Sequence, residues 1–330
     1  MPAGLTDLQQ KQLDQVDVLL QESPEQDGFA KDLFFGRFRE NAIFPFPEQD
    51  EAQQESINAL QEQLKTFCVT NIDPAAIDRN QKIPAKILGG LGKLGILGLT
   101  ADESLGGGGR SQQDFCRVME VLGSHCASTA ALANAQQAVG LKAIELFGSD
   151  AQKETWIKPI ADGTKTVAFA LTETMAGSDI NNVRTRAQSV DGETEFSITG
   201  EKRWITNGGI ADVLIVMART PDHANPDGEV TAFLVTPDMA GFEVEQERLE
   251  KIGVRGIATG NVKLNGVSVT CDDIIGELGK GMDVATTVIA YSRMSMAAAA
   301  VGSSKFCIER MVSRANSRHQ FGKTLGEFEL

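Results

Sequence analysis

The chain has 330 residues, 42% of them apolar and 23% charged, with 31 Lys and Arg against 45 Asp and Glu for a net charge of −14. That length suits two or more domains with sizeable cores. The acidic balance argues against nucleic acid as a partner, since binding it broadly needs cations on phosphates. The five cysteines form no CxxC pair and there are only three histidines, which excludes a zinc cluster and fits a reducing cytoplasm.

From the N-terminus, Leu5, Leu8, Leu13, Val16, Leu19 and Leu20 recur at helical spacing. The opening residues lack a basic stretch followed by an apolar run, so no secretory signal is expected. No run approaches the ~18 uninterrupted apolar residues of a membrane span. Pro45 and Pro47 mark an extended link. Ser56 to Phe67 and Ser111 to Gly123 again carry the helical period. Residues 90–95 read GLGKLG, the letters of a dinucleotide fingerprint, but no β-branched strand precedes them. A helix end and turn is the better reading. The glycines at 106–109 read as a flexible loop without the Lys-Ser/Thr of a P-loop.

From residue 166 the period shortens. Runs at 164–173, 195–209, 211–220, 229–237, 242–250 and 260–270 are rich in Val, Ile, Phe and Thr and are punctuated by turn residues. This predicts an antiparallel sheet or barrel. After residue 279 helix formers return, with apolar positions on one stripe. The expected fold is α+β: an N-terminal helical bundle (1–165), a middle antiparallel β-barrel or sandwich (166–278) and the start of a C-terminal helical bundle (279–330). The last helices carry an apolar face with few partners in the remaining residues, which suggests missing sequence or a covering subunit.

Two segments carry the functional signal. FALTETMAGSD (169–179) places Thr172, Gly177, Ser178 and Asp179 in a polar turn after a strand. Backbone amides in such a turn suit an anionic or polar ligand edge, although these are also ordinary turn residues. EKRWITNGG (201–209) sets Trp204 beside Ile205 and Thr206. A flat apolar face next to a hydroxyl suits a flavin ring; alone it reads equally as a core Trp beside an Asn-Gly turn.

Taken together, FALTE-x-x-A-GSD and G-x-K-x-W-I-T-N-G-G resemble the acyl-CoA dehydrogenase family. FFGRFRENAIFPFP (34–47) and LGGLGKLGILGLTADESLGG (88–107) are similar to its very-long-chain type. EKIGVRGIATGNVKLNGVSV, IIGELGKGMDVA and NSRHQFGKTLGEF extend the likeness to about residues 30–330. The resemblance implies FAD-dependent α,β-dehydrogenation of an acyl-CoA thioester, of long chain, in fatty-acid β-oxidation. It implies an electron-transfer flavoprotein as electron acceptor and a homo-oligomer, dimer or tetramer. The location implied is cytoplasmic, with peripheral membrane association through a further C-terminal part.

By position, Phe169, Leu171, Thr172, Gly177 and Ser178 match the flavin-binding strand end and loop. Trp204 and Ile205 match the segment packed on the ring, and Thr206 the donor to flavin N5. Arg318 and Phe321 match residues that reach a neighbouring subunit's cofactor. Ser178 and Arg293 match contacts to the CoA thioester. Thr174 stands where most relatives have Pro. The family's base, a carboxylate that takes the α proton, is expected beyond Leu330. Its alternative position is held here by Ser292, which cannot serve as a base without a partner. Glu277, Glu309 and Glu327 match no base position and read as solvated surface. A non-catalytic flavoprotein, such as an assembly factor or base-less subunit, and an oxygen-using oxidase are the alternatives of the same fold.

Overall fold

The computed structural model describes residues 29–46, 48–192, 194–221 and 225–329. The heptad-like leucines before residue 21, and Pro47, lie outside these. The chain forms two compact units that divide after Gln54. In the first, helix α1 (Phe29–Phe34) ends in a turn where buried Asp32 pairs with Arg39. Phe29 meets the edge of Phe38 at 6.0 Å.

The second unit begins with helices. In α2 (Glu51–Asn71), Ile57, Leu60, Leu64 and Cys68 recur every three or four residues and are all buried. Short helices α3 (Pro74–Asn80) and α4 (Ala85–Lys93) follow, then α5 (Gln112–His125) and α6 (Ala127–Ala133). Side chains fix the starts: Asp73 accepts from Ala76 N, and Ser111 from Asp114 N. Each bond satisfies an amide the helix itself leaves orphaned. Helix α6 continues into a π-helical stretch, Asn134–Leu141, before α7 (Lys142–Phe147) and α8 (Asp150–Ala161).

The GLGKLG run is part of α4 and the turn after it, with no strand before it among the described residues. Its glycines serve packing: a Cβ on Gly92 would lie 2.0 Å from Asp162 O. The 106–109 run is a loop, but a tethered one. Gly107, Gly108 and Gly109 donate to Asp102 O, Gly98 O and Ala101 O at 2.8–3.0 Å.

Eight strands form the middle sheet: β1 (Val167–Ala170), β2 (Arg186–Asp191), β3 (Glu195–Thr206), β4 (Val213–Thr220), β5 (Glu229–Val235), β6 (Phe242–Gln246), β7 (Thr259–Thr270) and β8 (Ile274–Ile275). The order is β6-β7-β3-β2-β4-β5-β8, with β1 also on β4. Pairing is antiparallel except that β1 and β2 run parallel to β4. Strand β4 shows why its run is continuously apolar: Val213, Ile215 and Met217 face the helices, while Leu214, Val216 and Ala218 face the inner core of the sheet. A strand covered on both faces has no polar side.

The last long element is α9 (Gly281–Ser317). Its first turns bury Val284, Ala285 and Val288 against the sheet, and Ala299 joins the core of α2 to α6. By length and composition alone α9 could cross a membrane; here it packs instead on α5 and β5. Its crossing with α5 is nearly backbone on backbone. A Cβ on Gly302 would lie 1.9 Å from Glu120 O, and one on Gly123 would lie 2.1 Å from Ala299 O. Ser303 Oγ donates to Gly123 O at 2.8 Å across the same contact. Gly302→Ala is therefore expected to lose about 1–3 kcal/mol through overpacking. Ala300→Ser, on the exposed side, should stay within about 0.5 kcal/mol. Urea unfolding of the two variants checks the contrast.

Candidate functional site

A cavity of about 400 Å³ opens between the sheet and the helices. Its sheet wall is Val167, Phe169, Leu171, Thr172, Trp204, Ile205 and Thr206. Its helix wall comes from the π-helical stretch and α9, including Asn134, Val139, Ile289, Ser292 and Met296. The structure thus gathers seven of the residues singled out in the sequence: Phe169, Leu171, Thr172, Trp204, Ile205, Thr206 and Ser292.

A bulge builds the sheet wall. Strand β3 pairs Lys202 with Val262 and Ile205 with Gly260, so Arg203 and Trp204 together oppose Asn261. Such an extra residue resets which side chains face which way. Trp204, Ile205 and Thr206 all border the cavity, with the Ile205 side chain itself buried in the inner core of the sheet. Trp204 takes φ +55°, in the left-handed region, which for a bulky residue is strained by about 1–2 kcal/mol. Asn261 holds the bulge by accepting from Trp204 N at 3.0 Å. The indole stays 54% exposed, an apolar face turned to the cavity. Among the described residues, neither the Thr172 nor the Thr206 hydroxyl has a protein hydrogen-bond partner.

Behind this wall lies an ion pair that sequence reasoning passed over. Lys202 is fully buried, and its Nζ donates to Glu173 Oε1 at 2.7 Å and to Leu171 O at 3.1 Å. Glu173 also accepts from Arg184 N, Thr185 N and Thr185 Oγ1 at 2.7–3.0 Å. Arg203 N donates to Thr172 O at 2.9 Å. The two quoted motifs are therefore one connected object. Burial pulls the Lys202 ammonium down from 10.5 to about 8, against the pull of Glu173. Burial would raise Glu173, but Lys202 and the three donors more than offset it and hold the carboxylate below 4.5. The letters E and K of FALTE and GEKRW were the available signal, since a Lys in mid-strand needs a partner if buried.

Asn207 closes the end of the wall. It is buried at φ +61°, and its Nδ2 donates to Val167 O at 3.2 Å. On the helix side, Gln136 accepts from Val167 N at 2.8 Å and donates to Lys165 O at 3.1 Å, hydrogen-bonding to the backbone around the start of β1. Gly140 lets the π-helical stretch come close: a Cβ there would lie 2.2 Å from Val167 Cγ1.

The remaining residues singled out lie elsewhere. Gly177 and Ser178 are exposed in the loop after β1. Arg293 is on the exposed side of α9. Arg318 and Phe321 belong to an exposed hairpin, His319–Gln320 with Lys323–Thr324, where Phe321 is 95% exposed. None of these five lines the cavity. Glu277 and Glu309 are exposed, and Glu327 accepts from Thr324 N and Oγ1 in a capping box.

Comparison with known proteins accounts for this combination of folds. Residues 54–164 match the N-terminal domain model of acyl-CoA dehydrogenases, 168–267 the middle domain model and 279–330 the C-terminal domain model. The chain belongs to the acyl-CoA dehydrogenase family. Within it, the chain is 33% identical over 322 residues to the human mitochondrial very long-chain specific acyl-CoA dehydrogenase, covering 95% of this chain and 49% of that protein. It is 35% identical over 302 residues to a probable acyl-CoA dehydrogenase of Mycobacterium tuberculosis, covering 91% and 46%. The chain thus spans about half the length of the curated relatives it matches. Among solved structures it resembles butyryl-CoA dehydrogenase from Megasphaera elsdenii, with TM-score 0.77 and 28% identity over 86% of this chain and 73% of that one. It also resembles an acyl-CoA dehydrogenase from Bacillus anthracis complexed with FAD, with TM-score 0.75 and 29% identity over 83% and 46%.

Glu173→Gln leaves the buried ammonium without its counter-charge and is expected to lose about 3–5 kcal/mol at pH 7. Because the Glu173 value is depressed in the folded state, its contribution is full above 4.5 and is lost as pH falls through the lower folded value. Lys202 sheds its proton above about 8, so the pair also dissolves on the alkaline side. The stability gap between parent and variant, measured by urea unfolding, should be widest near pH 7, narrow by pH 9, and shrink again as the pH falls below 4.5.

Proposed function

We propose that this chain seats FAD on its sheet wall and forms the flavin half of a site that α,β-dehydrogenates an acyl-CoA thioester. One observation carries the reading: a half-exposed indole and two unpartnered hydroxyls, Trp204, Thr172 and Thr206, share the sheet wall of a largely apolar cavity. A flat ring with polar edges needs that donor and acceptor set. FAD, when bound, supplies two-electron oxidising chemistry. The residues of the chain hold and enclose it. Trp204 offers the stacking face, Thr172 and Thr206 the polar contacts, and Phe169, Leu171 and Ile205 keep water out. The exposed loop with Gly177 and Ser178, and Arg293 on α9, are proposed to meet the ligand outside the cavity. Arg318 and Phe321 are proposed to act on a second subunit's cofactor.

The likeness to very long-chain relatives supports a long acyl group, an electron-transfer flavoprotein as acceptor and a homo-oligomer. Among the described residues no carboxylate lines the cavity. Removal of the α proton therefore needs a base that these residues do not bring to it. That same observation favours a second reading, a flavoprotein that binds without turning over.

The test is spectroscopic. The chain supplied with FAD should show protein-bound flavin absorbance and quenched indole emission, because Trp204 is one of only two tryptophans. Thr206→Ala should weaken FAD binding about fivefold to tenfold, the ordinary worth of one neutral hydrogen bond, and Trp204→Ala should weaken it further. A folded chain that neither colours nor quenches would refute the assignment. Bleaching by a long-chain acyl-CoA supports the enzyme, and a shifted but unbleached spectrum the binding protein.

A further inference from the structure

Strand β1 ends at Ala170, and the next two carbonyls both go to β3. Thr172 O accepts from Arg203 N at 2.9 Å, a bond of the ordinary backbone kind. Leu171 O is different. It accepts from Lys202 Nζ at 3.1 Å, so a fully buried side chain takes hold of it from behind the sheet wall. The same Nζ donates to Glu173 Oε1 at 2.7 Å. An ammonium has three protons, so each of these acceptors has a proton of its own. Glu173 is itself fixed by Arg184 N, Thr185 N and Thr185 Oγ1 at 2.7–3.0 Å. The grip on Leu171 O is therefore anchored at both ends of the ion pair.

This grip has a consequence on the other side of the peptide. The bond between Leu171 and Thr172 is trans, and in a planar trans peptide the N–H runs antiparallel to the C=O. With Leu171 O drawn back to Lys202, the Thr172 N–H is turned the opposite way, out of the wall. Among the described residues that N–H has no acceptor, and neither has the Thr172 hydroxyl. Leu171 and Thr172 both line the cavity. A backbone N–H without a protein partner is rare in a folded chain, and water or a ligand normally takes it. One residue thus offers two free donors beside the exposed Trp204 indole.

We infer that Lys202 is a positioning residue of the flavin seat: by holding Leu171 O it aims the Thr172 N–H, beside the Thr172 hydroxyl, at an acceptor oxygen on the edge of the ring. Glu173 acts one step further back, by keeping Lys202 in place. The inference rests on the proposed FAD reading of this cavity and adds what the buried pair does for it. Lys202 touches no ligand. Its effect is on the direction of a donor, and so on which ring edge the seat accepts, because a donor left facing a poor acceptor loses its bond.

The chain is titrated with FAD and with two analogues that carry sulfur, a weaker acceptor, in place of one or the other pyrimidine carbonyl oxygen of the ring. The parent should prefer FAD over one of the analogues by about fivefold, near the worth of one hydrogen bond. The disfavoured analogue marks the oxygen that the Thr172 N–H meets. Lys202→Met should bring that ratio close to one. Because this variant strands a buried carboxylate, the double variant Lys202→Met with Glu173→Gln, which leaves neither charge, is measured beside it with the same expectation. Asp73→Ala removes a helix cap away from the cavity. It should lower stability and keep the ratio, which separates lost aim from general loosening. In the isotope-labelled parent, the Thr172 amide proton should move downfield when FAD binds. Equal affinities in the parent, a ratio that survives in the double variant, or an unmoved Thr172 amide proton would each overturn the inference while FAD binding stands. A chain that takes up no FAD overturns the site reading itself, and this inference with it.

Discussion

The site depends on one buried ion pair. Lys202 and Glu173 sit where water cannot reach, and each is tolerable only because of the other. Their value to the fold is not net attraction, since an apolar pair would be less demanding of geometry. It lies in where they are. Glu173 belongs to the loop leaving β1 and Lys202 to the middle of β3, two segments also joined by the Arg203-to-Thr172 and Lys202-to-Leu171 bonds. Glu173 also satisfies two backbone amides, at Arg184 and Thr185. Loss of the carboxylate would leave these two amides and the ammonium without their acceptor, so a pair of apolar substitutes could not do its work.

Once that loop is held, the bulge in β3 can be used. Trp204 sits in a backbone conformation its bulk resists, and the strain persists because both neighbours are fixed. Lys202 is anchored on one side, and Ile205 is buried and paired with Gly260 on the other. Asn261 then accepts the amide that the bulge would leave orphaned. The result is a half-exposed Trp204 indole and Thr206 at the cavity, with the Ile205 side chain between them buried in the inner core of the sheet. An apolar plane and a hydroxyl thus come from positions two apart, Trp204 and Thr206, which is the arrangement a flat, polar-edged ligand needs.

Much of this was legible in the residues, and the exceptions have physical causes. Strands β3, β4, β5 and β7 announced themselves because their burial is one-sided or complete, and the β-branched runs follow from it. Strand β2 did not. Its sequence RAQSVD has one buried position, Ala187, so no alternation is written into it. It is a strand because β3 supplies its partner. The π-helical stretch was equally silent, since NAQQAVGL has ordinary helix formers. Its widened turn shows only where Gln136 bonds β1 and Gly140 admits Val167. The sheet wall could be named residue by residue because its letters are contiguous. The pairing of Glu173 with Lys202, and of Asn134 with Ser292, could not. Their partners are 29 and 158 positions apart, and nothing local encodes the meeting.

The two walls of the cavity rest on different cores, and this bears on how the site can work. The sheet wall is tied to the loop by charge and to β7 by the bulge. The helix wall is set by α9, whose start is buried with the sheet while Ala299 is buried with the helices. Ser292 lies between those two anchorages, about one turn from Val288 and two from Ala299. Its distance to the sheet wall is therefore governed by the glycine crossing of α9 on α5, where no side chain can yield. A ligand layered between Trp204 and Ser292 would meet two rigid faces whose spacing is fixed by packing some distance away. Width is then a property of the helix crossing, and the placement of the Ser292 hydroxyl a property of the hydrogen bonds that join Asn134 to Ser292 and Ser295. Substitutions at Gly123 or Gly302 should act on the first and substitutions at Asn134 on the second, which makes the two separable although both converge on Ser292.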